Sequence, residues 1–203
     1  IPQEGNKMIT AHVGNGGSLA AVVDGKCVDT TMGLTPAEGL MMGTRAGAID
    51  PGMLLYVYAK AGLDANSFND LVNKKSGLMG ISGVSSDMRD LEKAISEGNK
   101  RAALAVEMFE YRLAKQIGSF AAAMSGVDTI VFTGGIGEND ANVRCHVCRY
   151  LKFMGVEIDE ELNAGIRGKE IVLSTPNSKV TVVIIPTDEE LMIASDTQEI
   201  VKK

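Results

Sequence analysis

Thr133-Gly134-Gly135-Ile136-Gly137-Glu138-Asn139 is the stretch on which the fold turns. Before it, Val127 to Phe132 is a short run rich in β-branched residues, which reads as a buried strand. After it, Asn139 and Asp140 are helix-starting residues that lead into Ala141-Asn142-Val143-Arg144. A strand, a glycine turn and a helix start form a corner suited to phosphate. Glycine lets backbone approach a ligand closely, and the unpaired N–H groups of a helix start favour anions. A second such turn, His12-Val13-Gly14-Asn15-Gly16-Gly17-Ser18, lies near the start of the chain. Two Gly-rich strand ends in one small domain predict a nucleotide held between them. Neither turn follows a commoner nucleotide motif: there is no G-x-x-x-x-G-K-[ST], and Asp140 stands where a Rossmann turn has its third glycine. Either turn alone also reads as an ordinary connection.

Working outward, Met8 to Val13, Leu19 to Val23 and Lys26 to Thr31 read as three strands. Asp24-Gly25 is a two-residue hairpin signal, so the three are expected to be consecutive and antiparallel. From Pro51 the pattern is helical, over Gly52 to Ala61 and Ser67 to Lys74. Ser76 to Gly83 reads as a loop and Ser85-Ser86-Asp87 as a helix start. Lys100 to Met124 is the longest helical stretch, with Phe109, Leu113, Ile117 and Phe120 at intervals of three and four. It looks apolar on nearly every face, more than one sheet can cover. The chain then offers a helix from Asn139 to Met154, another near Asp159, a buried strand from Val180 to Ile185, and a closing helix from Asp188 to Val201. Late strands separated by helices imply parallel pairing with right-handed crossovers, hence a mixed α/β sheet covered by helices.

The 203 residues suit a single domain or one lobe of a larger protein, and 45% apolar content is enough for an aliphatic, Met-rich core. No apolar run reaches the roughly 18 residues of a membrane helix, and the polar start carries no signal-peptide pattern. It also lacks an initiator Met, as a piece of a longer protein would. A net charge of -6 argues against a nucleic-acid binder. An odd count of three Cys points to a reducing, cytoplasmic setting. Cys145-His146-Val147-Cys148 reads either as a metal or redox element or as a half-buried helix; a structural zinc wants four ligands, and only Cys27 and His12 remain.

The segment Gly33 to Gly52 is too rich in Gly and Pro for regular structure, and a loop of that length is usually functional. Arg45, between Gly43 and Gly47, can aim a guanidinium at an anion. With this loop the chain resembles the acetate kinase family, which includes the propionate kinases. The resemblance rests on His12 to Ser18, on Met42-Gly43-Thr44-Arg45, on Ser86-Asp87-Met88-Arg89, on Gly135-Ile136-Gly137-Glu138-Asn139, and on Pro186-Thr187-Asp188-Glu189-Glu190. Their order and spacing agree across essentially the whole chain.

The resemblance implies an actin-like, ribonuclease-H-like lobe of a kinase that makes acetyl phosphate and ADP from acetate and ATP, reversibly and with Mg2+. It implies that His12, Val13, Gly14, Asn15 and Gly16 line the nucleotide phosphates. Asp87, Met88, Arg89 and Gly135, Ile136, Gly137, Glu138, Asn139 would bind the rest of the nucleotide. Arg45 would stabilise the phosphoryl-transfer transition state and Glu189 help hold the metal. It further implies that residues 1–203 are the C-terminal, nucleotide-binding and dimerisation lobe of a two-lobe homodimer. The N-terminal lobe, with a catalytic Asp and much of the acyl pocket, would be absent, leaving acetate against propionate open and the isolated chain inactive.

These roles make chemical sense, because phosphoryl transfer needs charge neutralisation and positioning more than covalent help. Backbone N–H groups at Gly14, Gly16 and Gly137 are candidates for the first, and Arg45 for charge that develops in transit. Each residue has a plainer reading. Thr187-x-x-Glu190 is a capping box, Ser86-Asp87 can simply start a helix, and His12 can be a core histidine. The family pattern after the Arg is Ser-Gly-Asp, where this chain has Ala46-Gly47-Ala48. A hydroxyl and a carboxylate are therefore missing beside Arg45.

Overall fold

Three antiparallel strands open the chain: β1 (Lys7–Val13), β2 (Gly17–Val23) and β3 (Lys26–Thr30). The hairpin between β2 and β3 turns on Asp24 and Gly25 with φ of 51° and 73°, both positive as a type I′ turn requires. Along β1, Ile9, Ala11 and Val13 are buried while their neighbours are half-buried, the period-two pattern expected of a covered sheet face. β3 is exposed throughout and forms one edge. The computed structural model describes residues 5–202.

The parallel half is built on β4 (Thr129–Thr133), which pairs with β1 on one side and with β6 (Thr181–Ile184) on the other. Its first four residues are buried, because both faces of a central parallel strand are covered. A two-residue strand, β5 (Ile171–Val172), closes the far edge antiparallel to β6 and had no signal in the sequence. The sheet order is β3-β2-β1-β4-β6-β5.

The helices are α1 (Pro51–Lys60), α2 (Ala65–Lys74), α3 (Gly77–Ser82), α4 (Met88–Ser96), α5 (Lys100–Ala123), α6 (Gly134–Asn139), α7 (Ala141–Tyr150), α8 (Glu160–Gly165) and α9 (Glu189–Val201). Two expectations change here. Ser76 to Gly83, read as a loop, contains α3, whose Leu78 and Met79 N–H groups donate to Met42 O and Gly43 O at 2.9 Å. The expected helix from Asn139 to Met154 is instead α6, α7 and a short 3-10 turn at Lys152–Met154. Asp140 separates α6 from α7 and caps α7 by accepting from Val143 N.

α5 starts at Asn99, whose side chain accepts from Arg101 N and Ala102 N. It buries Phe109, Leu113, Ile117 and Phe120 against the sheet and packs with α3, α4 and α7. The helix is not apolar all round: Leu104, Glu107, Tyr111, Lys115 and Ser119 form one exposed stripe. Neighbours in the same chain cover most of the rest. Extended apolar surface is also exposed on α1 and α9, neither of which has a buried residue. Leu55 and Tyr56 on α1 are 70% and 65% exposed, and Ile193 and Ile200 on α9 are 66% and 73% exposed. Among the described residues no helix is long and apolar enough to cross a membrane.

Candidate functional site

The parallel pairing of β1 with β4 sets His12 opposite Thr133, so the two glycine turns leave the sheet side by side. They touch: a Cβ on Gly14 would lie 3.8 Å from Gly135 N. Gly134 must be glycine, since its φ is +77° and a Cβ there would meet Val13 O at 2.9 Å and Val13 N at 3.0 Å. The Arg45 loop packs on the first turn. Gly43 N donates to Asn15 O at 2.9 Å, and a Cβ on Gly43 would overlap the Asn15 side chain. This brings the Arg45 guanidinium over Gly16, with Nη1 3.6 Å from where a Gly16 Cβ would stand. Nη1 also donates to Pro36 O at 3.3 Å.

A cleft of about 740 Å3 opens in front of these turns. It gathers three of the segments marked by sequence: Gly14 and Asn15, then Asp87, Met88 and Arg89, then Gly135, Ile136 and Asn139. Ser86, quoted with the Asp87-Met88-Arg89 motif, also lines it; sequence reasoning assigned no role in the site to Glu92, Asn142, Ala164 and Arg167, which are further parts of its walls. Asn142 Nδ2 donates to Glu92 Oε1 at 3.1 Å and so joins α7 to α4 across the cleft. No local pattern announces such a pair. The other candidates stand behind or beside the cleft: Val13 and Gly137 are buried, and His12 is half-buried under Gly134.

The donors differ from those first considered. Gly14 N is satisfied by Gly16 O at 2.8 Å, and Gly137 is packed against Ala11 and Phe132. Among the described residues, the first-turn N–H groups of Gly135 and Ile136 in α6 have no protein acceptor. Gly134 N is taken by Glu138 Oε1 at 2.8 Å. The same oxygen accepts from Thr187 N at 2.9 Å and Thr187 Oγ1 at 3.0 Å. Burial works against the charge on Glu138, but these donors win and hold its carboxyl below the ordinary range. Glu138 thus ties the second turn to the segment that carries Glu189.

Thr187 is therefore not a helix cap. Asp188 caps α9 by accepting from Leu191 N at 2.9 Å, which leaves Glu189 as the exposed first residue of the helix. Among the described residues no group of three His, Cys, Asp or Glu could hold a metal ion. One carboxylate near a phosphate turn suits an ion that arrives with phosphate oxygens and water, as Mg2+ does.

Asp87 caps α4 and also takes Arg89 in a two-pronged pair, Nε at 3.0 Å and Nη2 at 2.6 Å. That pairing, with Arg89 N, draws its carboxyl down to about 2. Both residues line the cleft. Cys145 and Cys148 are buried on α7, and burial pushes the Cys148 thiol up to about 12. Burial thus favours the protonated thiol, the state of an unreactive buried cysteine. His146 is turned to Glu110 Oε1 at 2.9 Å instead.

Below the cleft, Arg144 is fully buried and has no carboxylate partner among the described residues. It donates to Asn163 Oδ1 at 2.8 Å, Gly137 O at 3.0 Å, and the carbonyls of Asn163 and Ile166 at 3.2 Å. It so fixes α6 against the end of α8, the two elements that present Gly135 and Ala164 to the cleft.

The model of the acetokinase family matches residues 1–195. The chain belongs to the acetokinase family. It is 59% identical over 199 residues to an acetate kinase of Bacteroides thetaiotaomicron, covering 98% of this chain and 50% of that protein. The crystal structure of Porphyromonas gingivalis acetate kinase superposes with a TM-score of 0.94 at 55% identity, covering 98% of this chain and 50% of that one. A propionate kinase from Francisella tularensis matches with a TM-score of 0.86 at 44% identity, over 95% of this chain and 48% of that one. The mixed six-stranded sheet flanked by helices is the actin-like ATPase-lobe fold. The chain spans about half the length of the curated relatives it matches.

Proposed function

We propose that residues 1–203 form the nucleotide-binding lobe of a two-lobe kinase that transfers the γ-phosphoryl group of ATP to a short-chain carboxylate, acetate or propionate. The observation that carries this reading is the convergence of the two glycine turns with Arg45, whose guanidinium stands over Gly16. A carboxylate oxygen forms the new bond to the γ-phosphorus while the bond to the bridging oxygen of ADP breaks. Gly135 and Ile136 N–H groups offer preorganised donors to phosphate, and Arg45 offers charge to the oxygens of the group in transit. Arg89 and Asn142 on the cleft wall suit the ribose and phosphate side of the nucleotide. Mg2+ bound through Glu189 would supply charge neutralisation at the phosphates.

We assign residues 1–203 on their own nucleotide binding without turnover, because the family resemblance places the catalytic Asp and much of the acyl pocket in the half of the kinase that this chain does not span. The dimer and the second lobe both need surface, and the chain has it. It exposes 11659 Å2, against roughly 9,200 Å2 for a compact monomer of 21.5 kDa. A standard interface removes about 800 Å2 per partner, so the excess accommodates more than one. The apolar faces of α1 and α9 are where we place these contacts. Three cysteines, none of them in a disulfide, suit a cytoplasmic setting. The test is an acyl-phosphate assay on the chain joined to the missing half, across acetate, propionate and butyrate. Acyl phosphate and ADP in equal amounts are expected; ATP hydrolysis without acyl phosphate contradicts the carboxylate kinase reading.

A further inference from the structure

A second cavity, of about 400 Å3, lies behind the Arg45 loop and takes no part in the cleft described above. Its apolar lining comes from Met41, Ile49, Met53, Ile81 and Met108. Lys75 and Arg112 also line it, and no acidic residue does. Arg112 is anchored there, since its Nη2 donates to the backbone carbonyl of Ala48. It has no salt-bridge partner among the described residues. Ala46 and Ala48 form part of the wall beside Arg112.

We infer that this cavity is a binding site for an aliphatic monocarboxylate. The carboxylate pairs with the Arg112 guanidinium, and the alkyl chain lies against the methionines and Ile81. The chemistry is specific on both counts. A guanidinium pairs with a carboxylate in a fork geometry that neither an alcohol nor an amine reproduces. A Met-lined floor adapts to a flexible chain and gains with each buried methylene. The wall of this site is the backbone on either side of Arg45. Ala46 N donates to Val72 O at 3.0 Å and Ala48 N to Gly39 O at 2.9 Å, so an occupant bears on the segment that positions the guanidinium over Gly16. The site would let a fatty acid too long to be a substrate act on the kinase from behind its arginine loop. Binding at this cavity is independent of the nucleotide reading, because its ligand and its residues are different; only an effect on turnover rests on the proposed function.

The experiment is isothermal calorimetry on the 203-residue chain with hexanoate, acetate, hexan-1-ol and hexylamine, alongside Ala48→Asp and Arg112→Leu variants. Circular dichroism and thermal melts confirm that each variant folds. Hexanoate is expected to bind saturably, with acetate and hexan-1-ol each weaker by about tenfold or more, the worth of several buried methylenes or of one charge-assisted pair. Hexylamine should not bind. Ala48→Asp should lose hexanoate affinity by about tenfold or more by occupying the guanidinium from within, and Arg112→Leu should lose it to a similar extent. Hexanoate affinity within twofold of wild type in a folded Ala48→Asp variant overturns the proposal. So does hexan-1-ol binding as tightly as hexanoate, or no saturable binding at all.

Discussion

Thr187 donates both its backbone N–H and its hydroxyl to one oxygen of Glu138, at 2.9 Å and 3.0 Å, across 49 residues of chain. The same oxygen receives Gly134 N at 2.8 Å. One carboxylate thereby fixes the second glycine turn, the end of β6 and the approach to α9 in a single arrangement. Glu138 works beside the cleft, as a staple between the second glycine turn and the segment that carries the candidate metal carboxylate Glu189.

Removing that staple should loosen both ends. Glu138→Ala leaves three donors unpaired and is expected to cost about 1–3 kcal/mol, with weakened nucleotide binding; Glu138→Gln keeps an acceptor and should lose less. Because the folded carboxyl lies below its ordinary range, its contribution is present above the unfolded value and fades as pH falls through the folded one. Urea melts at pH 7 and pH 3 check this. A wild-type advantage over Glu138→Ala that persists undiminished in acid contradicts it.

Gly134→Ala and Gly118→Ala should move stability in opposite directions. At Gly134 a Cβ needs φ of +77° and space that Val13 O occupies, so a loss of about 2–4 kcal/mol is expected. Gly118 lies inside α5 with nothing within 4 Å of its Cβ position, so alanine there should gain up to about 1 kcal/mol. Thermal melts of the two variants decide.

Arg45→Ala in the protein carrying both halves should lower kcat by roughly 10³ or more with nucleotide KM within a few-fold, since the guanidinium acts on charge that develops in transit. Steady-state kinetics test this. A near-normal kcat with a large rise in nucleotide KM would make Arg45 a ground-state binding residue.

Glu110 is buried on α5, and burial raises its carboxyl above the ordinary value while His146, 2.9 Å away on α7, pulls it back. A carboxyl with a raised folded pKa favours folding below its unfolded value, and that contribution is lost as pH rises through the folded one. Glu110→Gln has no such loss. Its Tm relative to wild type should therefore improve between pH 5 and pH 8, and parallel curves across that range would contradict the burial argument.

Much of this was legible in the residues. Asp24-Gly25 announced its hairpin, the two glycine turns announced the cleft, and the spacing of Phe109, Leu113, Ile117 and Phe120 announced α5. What stayed hidden depends on distant partners. α3 carries Gly77 and Gly80 and reads as a loop, yet the Arg45 loop supplies carbonyls for its first N–H groups. The alanines of α5 do not declare a face, so its exposed stripe could not be placed. Arg144 with Asn163, Glu138 with Thr187 and Asn142 with Glu92 are polar pairs joined only by the fold. A lone Glu or Asn in sequence gives no sign of which donor will reach it.

The central claim is that the cleft in front of the two turns holds a nucleotide. Backbone chemical shifts of the 203-residue chain, titrated with ADP and Mg2+, test it most directly. The account predicts saturable shifts centred on Gly14, Ser86, Arg89, Gly135 and Asn142, with Leu55 and Tyr150 unmoved. No shift at these residues up to about 10 mM ADP, a range that reveals binding free energies of only a few kcal/mol, or shifts confined to other surfaces of a folded chain, would contradict it.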